Sequence, residues 1–100
     1  MAVPNRAAVE AAVGLAVGCA GGSEPDEPAA LFYGFARYPR AVPGAWRILA
    51  DRVATAHAAM LGFRLAASAE ELAALRLEVA QRQADCEAVK AWFRARLAPL

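Results

Sequence analysis

Alanine supplies much of the apolar fraction of this chain, and no other feature narrows its fold so far. It is the strongest helix former, and it buries little area per residue. A chain that is 59% apolar in this manner favours helix, and its core depends on a few larger side chains. Only 8% of the residues are aromatic, so Leu, Val, Trp and Phe must supply most of that core. One hundred residues make one domain with a modest core. No segment shows the sustained period-two alternation of a half-buried strand. The expected fold is all-α: a compact bundle of four or five short helices, with residues 1–100 forming a single helical domain.

Helix start and stop signals divide the chain. Asn5 is a good N-cap, and Arg6 to about Cys19 reads as helix, with Val9, Ala12, Val13 and Ala16 on one face. Gly21-Gly22 stops it, and an acidic Pro/Gly loop over about 21–28 follows, ending in Ser23-Glu-Pro-Asp-Glu-Pro28. Pro28 opens a short helix, Ala29 to Arg37, whose apolar contacts are Leu31, Phe32 and Phe35. Tyr38-Pro39 through Val42-Pro43-Gly44 is a second connection, because each residue before proline is pushed out of the helical region. Ala45 to Leu61 is the strongest central helix. Trp46, Leu49, Val53, His57 and Met60 form one stripe along it. Gly62 is a natural left-handed stop, and Phe63-Arg64-Leu65 connects. Ser68 and Glu71 form a capping box. The helix that it opens runs to about Gln83, with Leu72, Leu75 and Val79 inward. Asp85 caps a last helix, Cys86 to Leu97, which Trp92 and Phe93 anchor to the core.

The formal net charge is +1, so no bulk field draws nucleic acid or a membrane surface, and neither is expected as a partner. No segment approaches the roughly 18–20 apolar residues of a membrane span. Leu15-Ala16-Val17-Gly18-Cys19 looks like a bacterial lipobox, which would place a lipid on Cys19. Glu10 interrupts the run, its basic region is one arginine, and alanine and glycine give it little hydrophobic drive. A buried amphipathic helix is the better reading, and the expected location is the cytoplasm. Cys19 and Cys86 have no metal-ligand spacing. In a reducing compartment both are expected as buried thiols; one disulfide between them is the alternative.

His57 is the sole histidine, so any histidine-based dyad must use it as the base. A packed core histidine with one hydrogen bond is the simpler account. Glu70 and Glu71 are explained by the capping box and the helix dipole. Arg37, Arg40, Arg47 and Arg52 form a candidate patch for anions or an acidic partner, with solvated arginines on packed stems as the default. No Gly-rich phosphate loop, metal cluster or nucleophile elbow occurs. No cofactor and no metal are expected.

Five short segments resemble the Fic/Doc family, in its death-on-curing branch. Ala7-Ala8-Val9-Glu10-Ala11-Ala12-Val13 is similar to that family's Leu-Leu-Glu-x-Ala-Leu helix. Phe35 to Tyr38-Pro39 is similar to the Tyr-Pro before its central helix. Leu61-Gly62-Phe63-Arg64-Leu65 resembles Leu-Asn-Gly-Tyr-x-Leu. Glu71-Leu72 through Leu77-Glu78-Val79-Ala80, then Ala91-Trp92-Phe93-Arg94, look like its C-terminal helix pair. The order matches over about residues 5–97. The family's catalytic loop, His-x-Phe-x-Asp/Glu-Gly-Asn-Gly/Lys-Arg, has no counterpart. Between Tyr38 and Gly62 there is room for one helix, where the family has two and the loop. His57 is followed by Ala58-Ala59-Met60, and Asp51-Arg52 is at most a remnant. The resemblance thus implies a bacterial, non-catalytic Fic/Doc-like protein with a degenerate active site, acting on a protein partner or by self-association, in a toxin–antitoxin or defence setting. The alternatives are an active, divergent Doc-type toxin that transfers phosphate or nucleotide to a translation factor, and an unrelated helical dimer or partner-binding module.

Overall fold

The computed structural model describes residues 5–38 and 46–100, the side chains of 46–48 excepted. Five helices carry the fold: α1 Arg6–Ala20, α2 Glu27–Arg37, α3 Trp46–Met60, α4 Ala69–Ala80 and α5 Cys86–Arg94. Strands β1 Phe63–Leu65 and β2 Leu97–Pro99 add a small antiparallel pair. The chain is mostly helical, as alanine content and capping signals predict.

Three of the predicted caps form. The Asn5 side chain accepts from the Ala8 N–H. Ser68 Oγ accepts from the Glu71 N–H at 3.1 Å, and the Ser68 N–H donates back to Glu71 at 3.2 Å. That backbone bond, with help from Arg96, holds the Glu71 carboxyl below the usual range. Asp85 Oδ1 accepts from the Ala88 N–H at 2.8 Å. Each satisfies an orphan donor of a helix start.

The central position belongs to α2, not to α3. Pro28, Ala29, Ala30, Phe32, Tyr33, Gly34 and Ala36 are all buried, because α2 packs against α1, α3, α4 and α5. The segment read as an acidic loop over about 21–28 is more ordered than expected. A 3-10 turn, Glu24–Asp26, leads directly into α2, which begins at Glu27. Asp26 is only 4% exposed, and Arg94 grips it with two bonds of 2.9 and 2.6 Å.

The buried face of α3 also differs from the expected stripe. Ala50, Ala54 and Ala58 are fully buried. Leu49, Val53 and His57 are half-buried, and Met60 is 81% exposed. Small residues at every fourth position let α3 approach α2 closely, and the larger side chains flank that contact. Trp46's side chain lies outside the described residues.

The last helix stops at Arg94, short of the predicted Leu97, and α4 stops at Ala80, short of Gln83. Leu65 pairs with Leu97 and Phe63 with Pro99, so the expected connection and the expected helix end form strands instead. Three residues are too few to display a period. Beyond α4, Arg82 takes a left-handed φ of 61°, and the Gln83 N–H bonds to the Glu78 carbonyl at 2.8 Å, which closes the helix without glycine.

Phe32, Tyr33, Leu72, Leu75, Val79, Val89 and Phe93 fill one core with the buried alanines. The Phe32 and Phe93 rings lie 5.5 Å apart. Phe93 is buried as expected, while Trp92 is half-buried beneath the Arg96 guanidinium, 4.0 Å from the ring centre. At the crossing of α1 and α2, a Cβ on Gly34 would run into the Ala12 carbonyl oxygen.

The expectation of two buried thiols is corrected. Cys19 and Cys86 form a disulfide, with Cα atoms 5.8 Å apart, because the end of α1 meets the start of α5. Residues 15–19, which resemble a lipobox, lie in the last turns of α1, and Cys19 Sγ is bonded to Cys86 Sγ. Among the described residues, no helix is long and apolar enough to cross a membrane.

Candidate functional site

The outward flank of α1, the first turn of α2 and the last turn of α3 enclose an apolar groove of about 140 Å³. Val13, Val17 and Ala20 of α1 form one wall, Leu31 of α2 its floor, and Glu27 and His57 its polar end. Small-molecule sites generally reach about 300–1,000 Å³, so this groove suits one or two side chains and not a whole ligand. Val13 is 44% and Val17 69% exposed, although they sit one turn apart on a helix whose buried face is Ala12, Ala16 and Cys19. The expected inward face of α1 is thus divided: Ala12 and Ala16 point in, and Val13 points out.

The polar end is one hydrogen bond. His57 Nε2 and Glu27 Oε1 lie 2.9 Å apart. A carboxylate has no proton to give, so the imidazole donates. In the neutral ring this leaves Nδ1 as the nitrogen without a proton. Helix ends favour both positions: Glu27 lies in the first turn of α2, and His57 in the last turn of α3. His57 therefore has the one hydrogen bond of a satisfied histidine, and its partner is a residue that reads in the sequence only as part of an acidic loop. Among the described residues lining the groove, Glu27 and His57 are the only polar ones. The two cysteines, which might have offered a nucleophile, are bonded to each other.

The arginine patch is only partly placed. Arg37 is half-buried at the end of α2, and Arg52 is exposed on α3. Arg40 and the side chain of Arg47 lie outside the described residues. Asp51, next to Arg52, is taken up by Arg76, whose Nη1 lies 2.7 Å from both carboxylate oxygens. That pair ties α3 to α4 and is structural.

The Asp26–Arg94 pair is a second cluster that sequence reasoning missed. The guanidinium hydrogen bonds hold the Asp26 carboxyl below the usual carboxylate range, against the opposing effect of burial, with Ser23 and Lys90 adding to the pull. It fastens the 3-10 turn to α5. Nothing in the spacing of residues 26 and 94 announces it. Among the described residues, no group of three or more His, Cys, Asp or Glu is placed to hold a metal ion. The chain matches no family model, no curated protein and no solved structure.

Proposed function

We propose that this protein works by protein–protein interaction, without catalysis, and that the groove between α1, α2 and α3 receives a helix of a protein partner. The observation that carries this reading is the exposed pair Val13 and Val17 beside an apolar groove that ends in a carboxylate. Two valines one turn apart match the i, i+4 anchors of an amphipathic helix. Glu27 uses one carboxylate oxygen for His57, and Glu24, three residues earlier in the chain, is exposed. A partner helix with an apolar stripe and a Lys or Arg at its edge complements both features.

The test is titration of the isotope-labelled protein with a synthetic amphipathic helix carrying Lys at that edge, followed by amide chemical shifts. Shifts confined to α1, the first turn of α2 and the last turn of α3, abolished by Val17→Asp and by Lys→Glu in the peptide, support the reading. No shifts, or shifts centred on another face, overturn it. A dimer of this chain dispersed by Val17→Asp would assign the face to a second copy instead.

Membership of the Fic/Doc family, and with it a place in a bacterial toxin–antitoxin or defence locus, is part of this proposal and rests on the segments quoted above. Among the described residues between Tyr38 and Gly62 there is one helix, α3, which favours the non-catalytic form of that reading over a divergent transferase. The expected cytoplasmic location implied free thiols, and Cys19 and Cys86 are instead bonded to each other. Reducing compartments keep structural disulfides open and tolerate chiefly those that are transient, catalytic or redox-sensing. The cytoplasm is therefore proposed together with a bridge of that kind.

A further inference from the structure

We propose that the Cys19–Cys86 bridge is a thiol–disulfide switch that latches α1 to the body of the fold. Apart from this bridge, α1 is held chiefly by small side chains. Its buried side chains are the small Ala12, Ala16 and Cys19, which remove little apolar area from water, and Leu15 and Ala20 pack against the core only in part. Its main neighbour is α2. The body, in contrast, is held by Phe32, Leu72, Leu75, Val79, Val89 and Phe93, and by ion pairs from Asp26 to Arg94 and from Asp51 to Arg76. The ion pair that α1 makes, Arg6 with Glu10, is internal to the helix.

The chain leaves α1 through a hinge. Gly21 and Gly22 have φ of 59° and 83°, a conformation that glycine enters and leaves without steric cost. The bridge lies two residues before that hinge. It spans 67 residues of sequence and is the one covalent tie between α1 and α5. While it is closed, the hinge is locked and α1 stands as the wall of the groove.

The two cysteines differ in exposure. Cys19 is 5% exposed, whereas Cys86 is half-buried as the first residue of α5. Cys86 is thus the more exposed half of the bridge, and its sulfur is the one assigned to the incoming thiolate. Attack there forms a mixed disulfide on Cys86 and breaks the bond to Cys19, which leaves as thiolate and takes a proton from water. The second thiol of a dithiol reductant then attacks its own sulfur in the mixed disulfide. The oxidised, cyclic disulfide departs, and Cys86 leaves as a thiolate at a helix N-terminus, where that charge is stabilised. The sum is one protein disulfide plus one dithiol giving two protein thiols and one oxidised dithiol. A disulfide oxidant runs the sequence backwards. Opening the latch frees the wall made by Val13 and Val17, so the groove exists in the oxidised form. That last step rests on the interaction reading above; the release of α1 does not.

Hydrogen exchange of the full chain, oxidised and after treatment with dithiothreitol, tests the switch. Amides of residues 6–20 are expected to lose protection by about tenfold or more on reduction, while those of 69–94 keep theirs, and reoxidation restores the first set. The variant Cys19→Ser, Cys86→Ser should match the reduced protein. Unchanged protection over 6–20 would show a passive bridge, and parallel loss over 6–20 and 69–94 would show a staple of the whole fold; either overturns the proposal. The Lys-bearing peptide separates the two readings. If α1 is released but the peptide binds both forms equally, the switch stands and the groove reading falls.

Discussion

Gly34 shows how one residue decides a helix crossing. In the sequence it is a defect within α2, since glycine weakens a helix by about 0.5–1 kcal/mol relative to alanine. In the fold it is where the Ala12 carbonyl of α1 comes too near for any Cβ. We therefore expect Gly34→Ala to destabilise the protein despite its better helix propensity. Overpacking costs about 1–3 kcal/mol, and the obstruction is backbone, which cannot rotate aside. Urea denaturation decides it: a stability equal to or above the parent would show that α1 shifts freely. Asp26 makes a second prediction at this scale. Its folded pKa lies below the unfolded one, so its contribution is complete above the ordinary aspartate range and is lost as pH falls through the lowered value. The stability gap between the parent and Asp26→Asn should be widest at neutral pH and should close below about pH 4. A gap independent of pH would mean that the Arg94 pair contributes nothing.

At the scale of elements, capping chemistry was legible and packing direction was not. Asn5, Ser68 with Glu71, and Asp85 are local signals, and each formed the bond that its position implies. The inward face of α3 depended on what α2 presents. A sequence reading ranks Leu49, Val53 and Met60 above alanine, but close approach selects Ala50, Ala54 and Ala58. The strands were invisible because each gains its pairing from the other, more than thirty residues away. In α5, Val89 and Phe93 face inward, while Leu97, expected in the same helix, lies in β2, and the two aromatics are unequal. Phe93 is 1% exposed and meets Phe32, whereas Trp92 packs on one side and carries Arg96 on the other. Phe93→Ala should cost about 3–5 kcal/mol, and Trp92→Ala clearly less. Denaturation of the two variants side by side checks this ranking. Equal losses, or a larger loss for Trp92, would place the anchor of α5 at its outer edge.

The whole molecule brings together what the chain separates, and it does so in a way that disfavours nucleotide chemistry at His57. Of the candidate site, His57 was legible as the one histidine. Glu27 was not, because its role depends on where α2 starts relative to the end of α3. Phosphoryl or nucleotidyl transfer needs groups that neutralise and orient phosphates, usually N–H groups at a helix start together with a cation. At the end of α3 the exposed dipole is negative, and the Glu27 carboxylate lies 2.9 Å from the imidazole. Both repel a polyphosphate from the atom that would have to act as base. The groove walls are valine, alanine and leucine, which offer no hydrogen bond to a phosphate oxygen. Arg52, exposed on α3, can attract an anion but does not line this groove. We therefore expect the purified protein neither to bind ATP tightly nor to transfer phosphate or nucleotide to another protein. Calorimetry with ATP, followed by incubation of labelled nucleotide with a cell lysate, measures both. Micromolar ATP binding, or label transfer that His57→Ala abolishes, would reverse the order of the two functional readings and make Glu27 the residue that orients a catalytic base.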